Sequence, residues 1–153
     1  MIQRLALILT IAVGIGVLSL TSGGVATGRA TAQEPQFRRQ EIALGRLSYH
    51  EAVGGPAIVA VQQFTFDPGA RAGWHTHPGP ALIVVTKGEM AFYNADGCRT
   101  VYPAGSAVME QPGWVHEPRN ETTEPLEFYV TFIVPVGPAL RSTAEAPTAE
   151  CGG

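Results

Sequence analysis

From Ala57 onward the chain alternates between short apolar, β-branched runs and clusters of proline, glycine, aspartate and asparagine. That punctuation predicts strands and turns. Ala57–Phe66 reads as a first long strand ended by Asp67-Pro68-Gly69, and Ala81–Thr86 as another, turned at Lys87-Gly88. Glu89–Asn94 and Arg99–Tyr102 flank the Asp96-Gly97 turn as a hairpin. Ser106–Glu110, Val115–Arg119 and Leu126–Val134 complete the set, and Glu41–His50 adds a candidate edge strand. No segment carries the period of a long amphipathic helix. Seven or eight short strands in about ninety residues cannot each bury a face in one open sheet, so the expected fold is all-β, closed into a barrel or a two-sheet jelly roll.

The opening of the chain follows a different pattern. Arg4 precedes an uncharged apolar run from Leu5 to Leu20, small and polar residues follow, and Ala30-Thr31-Ala32 forms an A-x-A-like cleavage site before Gln33. This predicts a secretory signal peptide over 1–32 and export to the periplasm, cell envelope or extracellular space. The alternative is an uncleaved membrane anchor, against which the run is short for the about 20 apolar residues that cross a bilayer core. The organisation expected is therefore signal peptide 1–32, lead-in with possible edge strand 33–56, barrel 57–135 and tail 136–153.

Without residues 1–32, which hold Arg4 and Arg29 but no acid, ten basic side chains fall to eight against thirteen acidic ones, and the balance moves from −3 to −5. Lys87 is the only lysine and no basic run remains. This argues against nucleic acid or an anionic membrane as partner and favours a small molecule. Two cysteines are present, Cys98 in the turn Asn94-Ala-Asp-Gly-Cys and Cys151 near the C-terminus. An even count in an exported chain suggests a disulfide stapling the tail to the barrel, with two unpaired thiols, or Cys98 as a distal thiol ligand, as alternatives.

The candidate chemistry lies in Gly69-Ala-Arg-Ala-Gly-Trp-His75-Thr-His77 and, beyond several strands, in Pro112-Gly113-Trp114-Val115-His116-Glu-Pro-Arg-Asn120. In an extended segment His-x-His places both imidazoles on one face, and a third imidazole from another strand completes a facial set for a metal ion. Any one of these histidines alone would read as a polar loop residue. His75, His77 and His116 together read as ligands.

These two segments resemble the motifs of the cupin superfamily between about Phe64 and Ile133. Gly69, His75, His77 and Gly88 fall on the first motif; Gly105, Gly113, His116 and Asn120 fall on the second, with the proline of Gln111-Pro112 shifted by one. The resemblance implies a single cupin-type barrel, and the sixteen residues between Gly88 and Gly105 suit its compact microbial form. The position of the family's glutamate ligand, separated from Gly88 by six residues, is here Ala81, and no carboxylate occurs between His77 and Gly88. The implied ligand set is therefore His75, His77 and His116 alone, as in the three-histidine branch that resembles thiol and diketone dioxygenases. Three neutral imidazoles would leave the full charge on a divalent ion and up to three positions open, a roomier and more electrophilic site. Iron, copper, nickel, manganese or zinc all remain open as the ion.

Trp74 and Trp114 precede candidate ligands and are candidate pocket walls, with strand-end packing equally good as an account. Gln62, Gln63 and Gln111 are candidate donors to the ligands, and Phe64, Phe66, Phe92, Phe128 and Phe132 read as core and barrel lining rather than as a substrate cage. Of Glu89, Glu110 and Glu117, most are expected in solvent, and Glu110 is only the least unsuitable of them as a stand-in for the missing carboxylate. Asn120, Gly88, Gly105 and Gly113 read as structural. Tyr49 and His50 receive no role.

Three functions follow: an exported mononuclear metal-dependent oxidoreductase, dioxygenase-like and acting on a small chelating molecule; a non-catalytic barrel that holds a metal or small ligand; and a metal-dependent isomerase or hydrolase. No general base stands out beside the histidines, which disfavours the third. A homodimer through outer sheet faces is common in the family and stays open.

Overall fold

A computed structural model describes residues 33–148 and 151–152. The signal-peptide expectation for 1–32 lies outside the described residues. Ten strands follow in chain order: β1 (Phe37–His50), β2 (Gly55–Phe66), β3 (His75–Thr76), β4 (Ala81–Lys87), β5 (Glu89–Asn94), β6 (Arg99–Pro103), β7 (Ala107–Glu110), β8 (His116–Arg119), β9 (Leu126–Pro135) and β10 (Ser142–Thr143). The one helical turn among the described residues is a 3₁₀ segment, Glu51–Val53, between β1 and β2. Two five-stranded antiparallel sheets result, ordered β1-β2-β9-β4-β7 and β10-β3-β8-β5-β6. This is the all-β double-sheet jelly roll that the strand pattern predicts.

The core follows from the two-residue period of the strands. Along β9 the inward residues Leu126, Phe128, Val130, Phe132 and Val134 are buried, and along β4 Ala81, Ile83 and Val85 are. The alternate residues Leu82 and Val84 lie exposed on the outer face. Phe66, Met90 and Phe92 join the same cluster from the strands on either side. At about 25 cal/mol per Å² of apolar surface removed from water, such residues dominate the stability of a domain this size.

Two glycines are required where the sheets turn. Gly88, at φ +75, ends β4, and a Cβ there would lie 2.7 Å from the Pro125 carbonyl oxygen. Gly79, between His77 and β4, lies so close to β9 that a Cβ would meet the Ile133 carbonyl oxygen at 2.1 Å. Asn120 does the reverse and fills space: fully buried, it donates through Nδ2 to the Phe66 and Glu124 carbonyls and accepts from Thr122. It ties the end of β8 to the end of β2.

β1 begins at Phe37, ahead of the expected Glu41, inside the stretch that reads as a polar lead-in. Phe37 packs on Phe66 with ring centroids 5.0 Å apart, and Arg38 pairs with Asp67 at 3.0 Å, so the strand is anchored by its first turn of contacts rather than by an apolar stripe. Beyond Pro135, in the stretch that reads as a tail, β10 pairs with β3, and Arg141 donates to the carbonyls of Ala72 and Gly73 at 2.5 and 3.2 Å. Cys98 and Cys151 form a disulfide across a separation of 53 residues.

Candidate metal centre

His75 and His116 are direct partners in the antiparallel ladder of β3 and β8, and His77 follows His75 by one strand period. All three are buried, and one nitrogen from each lies within 4.8 Å of the others. Phe92 stacks on His116 with centroids 5.2 Å apart, and Phe132 packs on His77 at 5.0 Å. The imidazoles are thus held in place by the core itself.

The backbone fixes which nitrogen each ring offers. His75 Nδ1 lies 2.7 Å from the Gly73 carbonyl oxygen, His77 Nδ1 2.6 Å from that of Leu140, and His116 Nδ1 3.0 Å from that of Trp114. A carbonyl can only accept, so each Nδ1 carries a proton, and it is Nε2 that has the lone pair to offer when a ring is neutral. This is the orientation that metal-binding imidazoles take.

Glu110, at the end of β7, closes the group. Its Oε2 lies 3.2 Å from His77 Nε2 and its Oε1 2.9 Å from His116 Nε2, with the side chain 3 % exposed. Burial works to raise its carboxyl pKa, but hydrogen bonds donated by His116 and His77, which need a proton on Nε2, outweigh burial and hold it down at about 2. Glu110 is thus a carboxylate when a cation, either imidazolium or a metal ion, sits against it. Burial, followed by the neighbouring His116, lowers His75 to about 3, which keeps that ring neutral and able to donate a lone pair.

These groups present an excess of acceptors. The contact distances are those of hydrogen bonds, yet Glu110 Oε2 and His116 Nε2 have no partner, because a neutral imidazole has one proton and gives it to a carbonyl. A buried acceptor without a partner costs about 1–3 kcal/mol, and more when it is charged. A proton on an Nε2 would compensate in part; a divalent cation satisfies converging lone pairs and the carboxylate together. The residues fit a metal ion.

The centre opens into a cavity of about 450 Å³ whose walls are Phe37, Phe64, Phe66, Phe128 and Phe132, with Gln62 at its side. That volume suits a small molecule. Of the phenylalanines expected as core, Phe64, Phe66, Phe128 and Phe132 are core and cavity wall at once, while Phe92 stacks on His116 outside the lining. Arg39 and Arg141 line the same cavity, and Arg141 Nε is buried without a partner.

Several expected roles are not supported by position. Trp114 is 57 % exposed, and Gln111, just past the end of β7, is exposed; neither lines the cavity. Trp74 packs near the Arg119 guanidinium, 6.0 Å from its ring, rather than on the cavity. Glu117, expected in solvent, is buried against Arg119, whose Nε donates to it at 2.7 Å. The expectation of a site free of carboxylate, and so without a nearby base, fails at Glu110. Arg39, Arg141 and the Leu140 carbonyl carry no signal in the sequence, since the segments that hold them look like lead-in and tail.

The sequence profile described as the Cupin domain matches residues 62–132, which include all three histidines and Glu110. Residues 62–132 are a cupin domain. Among curated proteins, the domain's chain is 42% identical over 62 residues to an (R)-mandelonitrile lyase from Granulicella tundricola, a match covering 40% of this chain and 47% of the relative. The chain thus spans about half the length of that curated relative. Among solved structures, a conserved protein with a double-stranded β-helix domain from Klebsiella pneumoniae matches at a TM-score of 0.55 and 25% identity, over 76% of this chain and 90% of that one. A cupin domain from Bordetella pertussis matches at 0.52 and 19% identity, over 69% and 100%. The second likeness concerns the fold alone.

Proposed function

We propose that this protein is a mononuclear metal-dependent cupin enzyme that acts on a small, largely aromatic molecule bound through oxygen at the histidine centre. The observation that carries the reading is that His75, His77 and Glu110 themselves line the phenylalanine-walled cavity, so a ligand in it meets the centre. His75, His77 and His116 would hold the ion. The ion would supply a Lewis acid beside a hydroxyl or carbonyl oxygen of the substrate. The aromatic wall supplies orientation and excludes water, and Gln62 offers a polar contact at 5 % exposure.

The reaction favoured is of lyase type, cleaving or forming a carbon–carbon bond next to that oxygen, as the name of the mandelonitrile lyase relative describes for that protein. An oxygen-using oxidoreductase is the second reading. It is supported by the three-nitrogen facial set, because even with a fourth ligand an octahedral ion keeps positions for substrate and dioxygen. The isomerase and hydrolase alternative is supported by Glu110, a carboxyl group beside the histidines. Export is proposed as well, supported by the Cys98–Cys151 disulfide.

The test is a paired assay on protein loaded in turn with manganese, iron and zinc. Benzaldehyde release from mandelonitrile, lost in H75A/H77A, supports the lyase reading. Oxygen uptake with thiols, diketones or polyphenols, lost in the same variant, supports the oxidoreductase. Silence in both assays with fully loaded protein contradicts an enzyme and leaves a ligand-binding barrel.

A further inference from the structure

The acids that form ion pairs among the described residues meet arginine or lysine, with one exception. Asp67 pairs with Arg38, Glu127 with Lys87, Glu121 with Arg99 and Glu117 with Arg119. Glu110 meets only the imidazoles of His77 and His116. A carboxylate this buried is costly unless a cation sits against it.

Its position on the sheet explains how it arrives there. Ala81 on β4 and Glu110 on β7 are register partners. Directly opposed residues in an antiparallel pair project to the same face with Cβ atoms about 5 Å apart. Both are buried on the side that faces the histidines. Ala81 stops at its Cβ, and Glu110 extends across the space that a longer side chain at 81 would claim.

We infer that Glu110 is the anionic fourth ligand of the metal centre, delivered from β7 in place of a carboxylate on β4. The inference rests on the metal-binding reading above and assigns a residue outside the three-histidine set. With a divalent ion the four groups carry a net charge of +1 rather than +2, a less electrophilic centre than three histidines alone would give. It also accounts for the two orphaned acceptors, Glu110 Oε2 and His116 Nε2, because both would donate to one ion.

The experiment is titration of metal-free wild type, E110Q and A81E/E110A with Co(II) and Zn(II), read by calorimetry and by the visible spectrum of bound cobalt. Circular dichroism confirms that each variant is folded. The expected result is binding at one site in wild type, weakened about 100-fold or more in E110Q with an altered cobalt spectrum, and substantially restored in A81E/E110A. If wild type binds and E110Q matches it in affinity and spectrum, the Glu110 assignment is wrong while the metal reading stands. If wild type binds no metal, both fall. Should neither variant fold, a crystal structure of zinc-loaded wild type decides: a Glu110 oxygen at about 2.0–2.2 Å from the ion supports the assignment, and a longer separation overturns it.

Discussion

Ala81 and Glu110 face each other across the β4–β7 ladder, one fully buried and the other 3 % exposed, with the two imidazoles of His77 and His116 beside the carboxylate. The pairing reverses a simple expectation for Ala81→Glu. On three histidines alone the new carboxylate would tighten metal retention; with Glu110 already in place it puts two buried carboxylates side by side. We expect A81E to lower the thermal midpoint and A81E/E110A to recover most of the loss. Their non-additivity, measured as a double-mutant cycle by urea unfolding, should reach about 1–3 kcal/mol. Additive effects would mean that the two side chains do not share one space.

Arg141 is expected to matter for the centre although its hydrogen bonds go to backbone carbonyls rather than to a histidine. Its guanidinium holds the segment before β10 to the Ala72 and Gly73 carbonyls, and the neighbouring Leu140 carbonyl accepts from His77 Nδ1. R141A should cost about 2 kcal/mol in unfolding free energy through the lost charged hydrogen bonds. It should also weaken zinc binding about tenfold by loosening the support of His77. Unfolding curves and calorimetric titration check the two effects separately.

Gly79 allows β4 to start immediately after the His-x-His segment. G79A drives a methyl into the Ile133 carbonyl, where neither backbone can yield. We expect a loss of about 3 kcal/mol or more and a weakened metal site, since His77 lies two residues away. A variant of near wild-type urea midpoint would show that the β4–β9 approach is looser than drawn.

The disulfide makes a separate contribution, remote in sequence from the histidines. Closing a loop across 53 residues stabilises by about 4 kcal/mol in the chain-entropy account, and less if the native state is strained. Reduction, or C98S/C151S, should lower the urea midpoint by a corresponding amount while leaving zinc affinity within a few fold. A large loss of affinity would show that the C-terminal segment depends on the bridge to keep Leu140 against His77.

Much of this arrangement is legible in the chain. Strands β4 to β9 fall within a residue or so of their expected bounds, because alternation against a single core leaves few other ways to place Ile83, Phe128 or Val130. His75, His77 and His116 are legible for the same reason: two-residue periodicity puts them on one face. Glu110 is only half legible. The sequence ranks it only as the least unsuitable of three nearby acids, and that it faces the histidines depends on the register of β7 against β4, which local sequence does not state. β10 and the Leu140 carbonyl are not legible at all, since a backbone acceptor has no residue signature and Ser142–Thr143 is too short to show a period. Arg39 escapes because β1 is exposed along nearly its whole length, so no alternation marks it as a strand reaching the cavity.

If His75, His77 and His116 hold a metal ion, elemental analysis of the protein recovered from its own host, beside H75A/H77A prepared in the same way, should find near-stoichiometric transition metal in the wild type and its loss in the variant. Wild-type protein recovered without metal, and unable to take up manganese, iron or zinc on titration, would contradict the metal-binding reading.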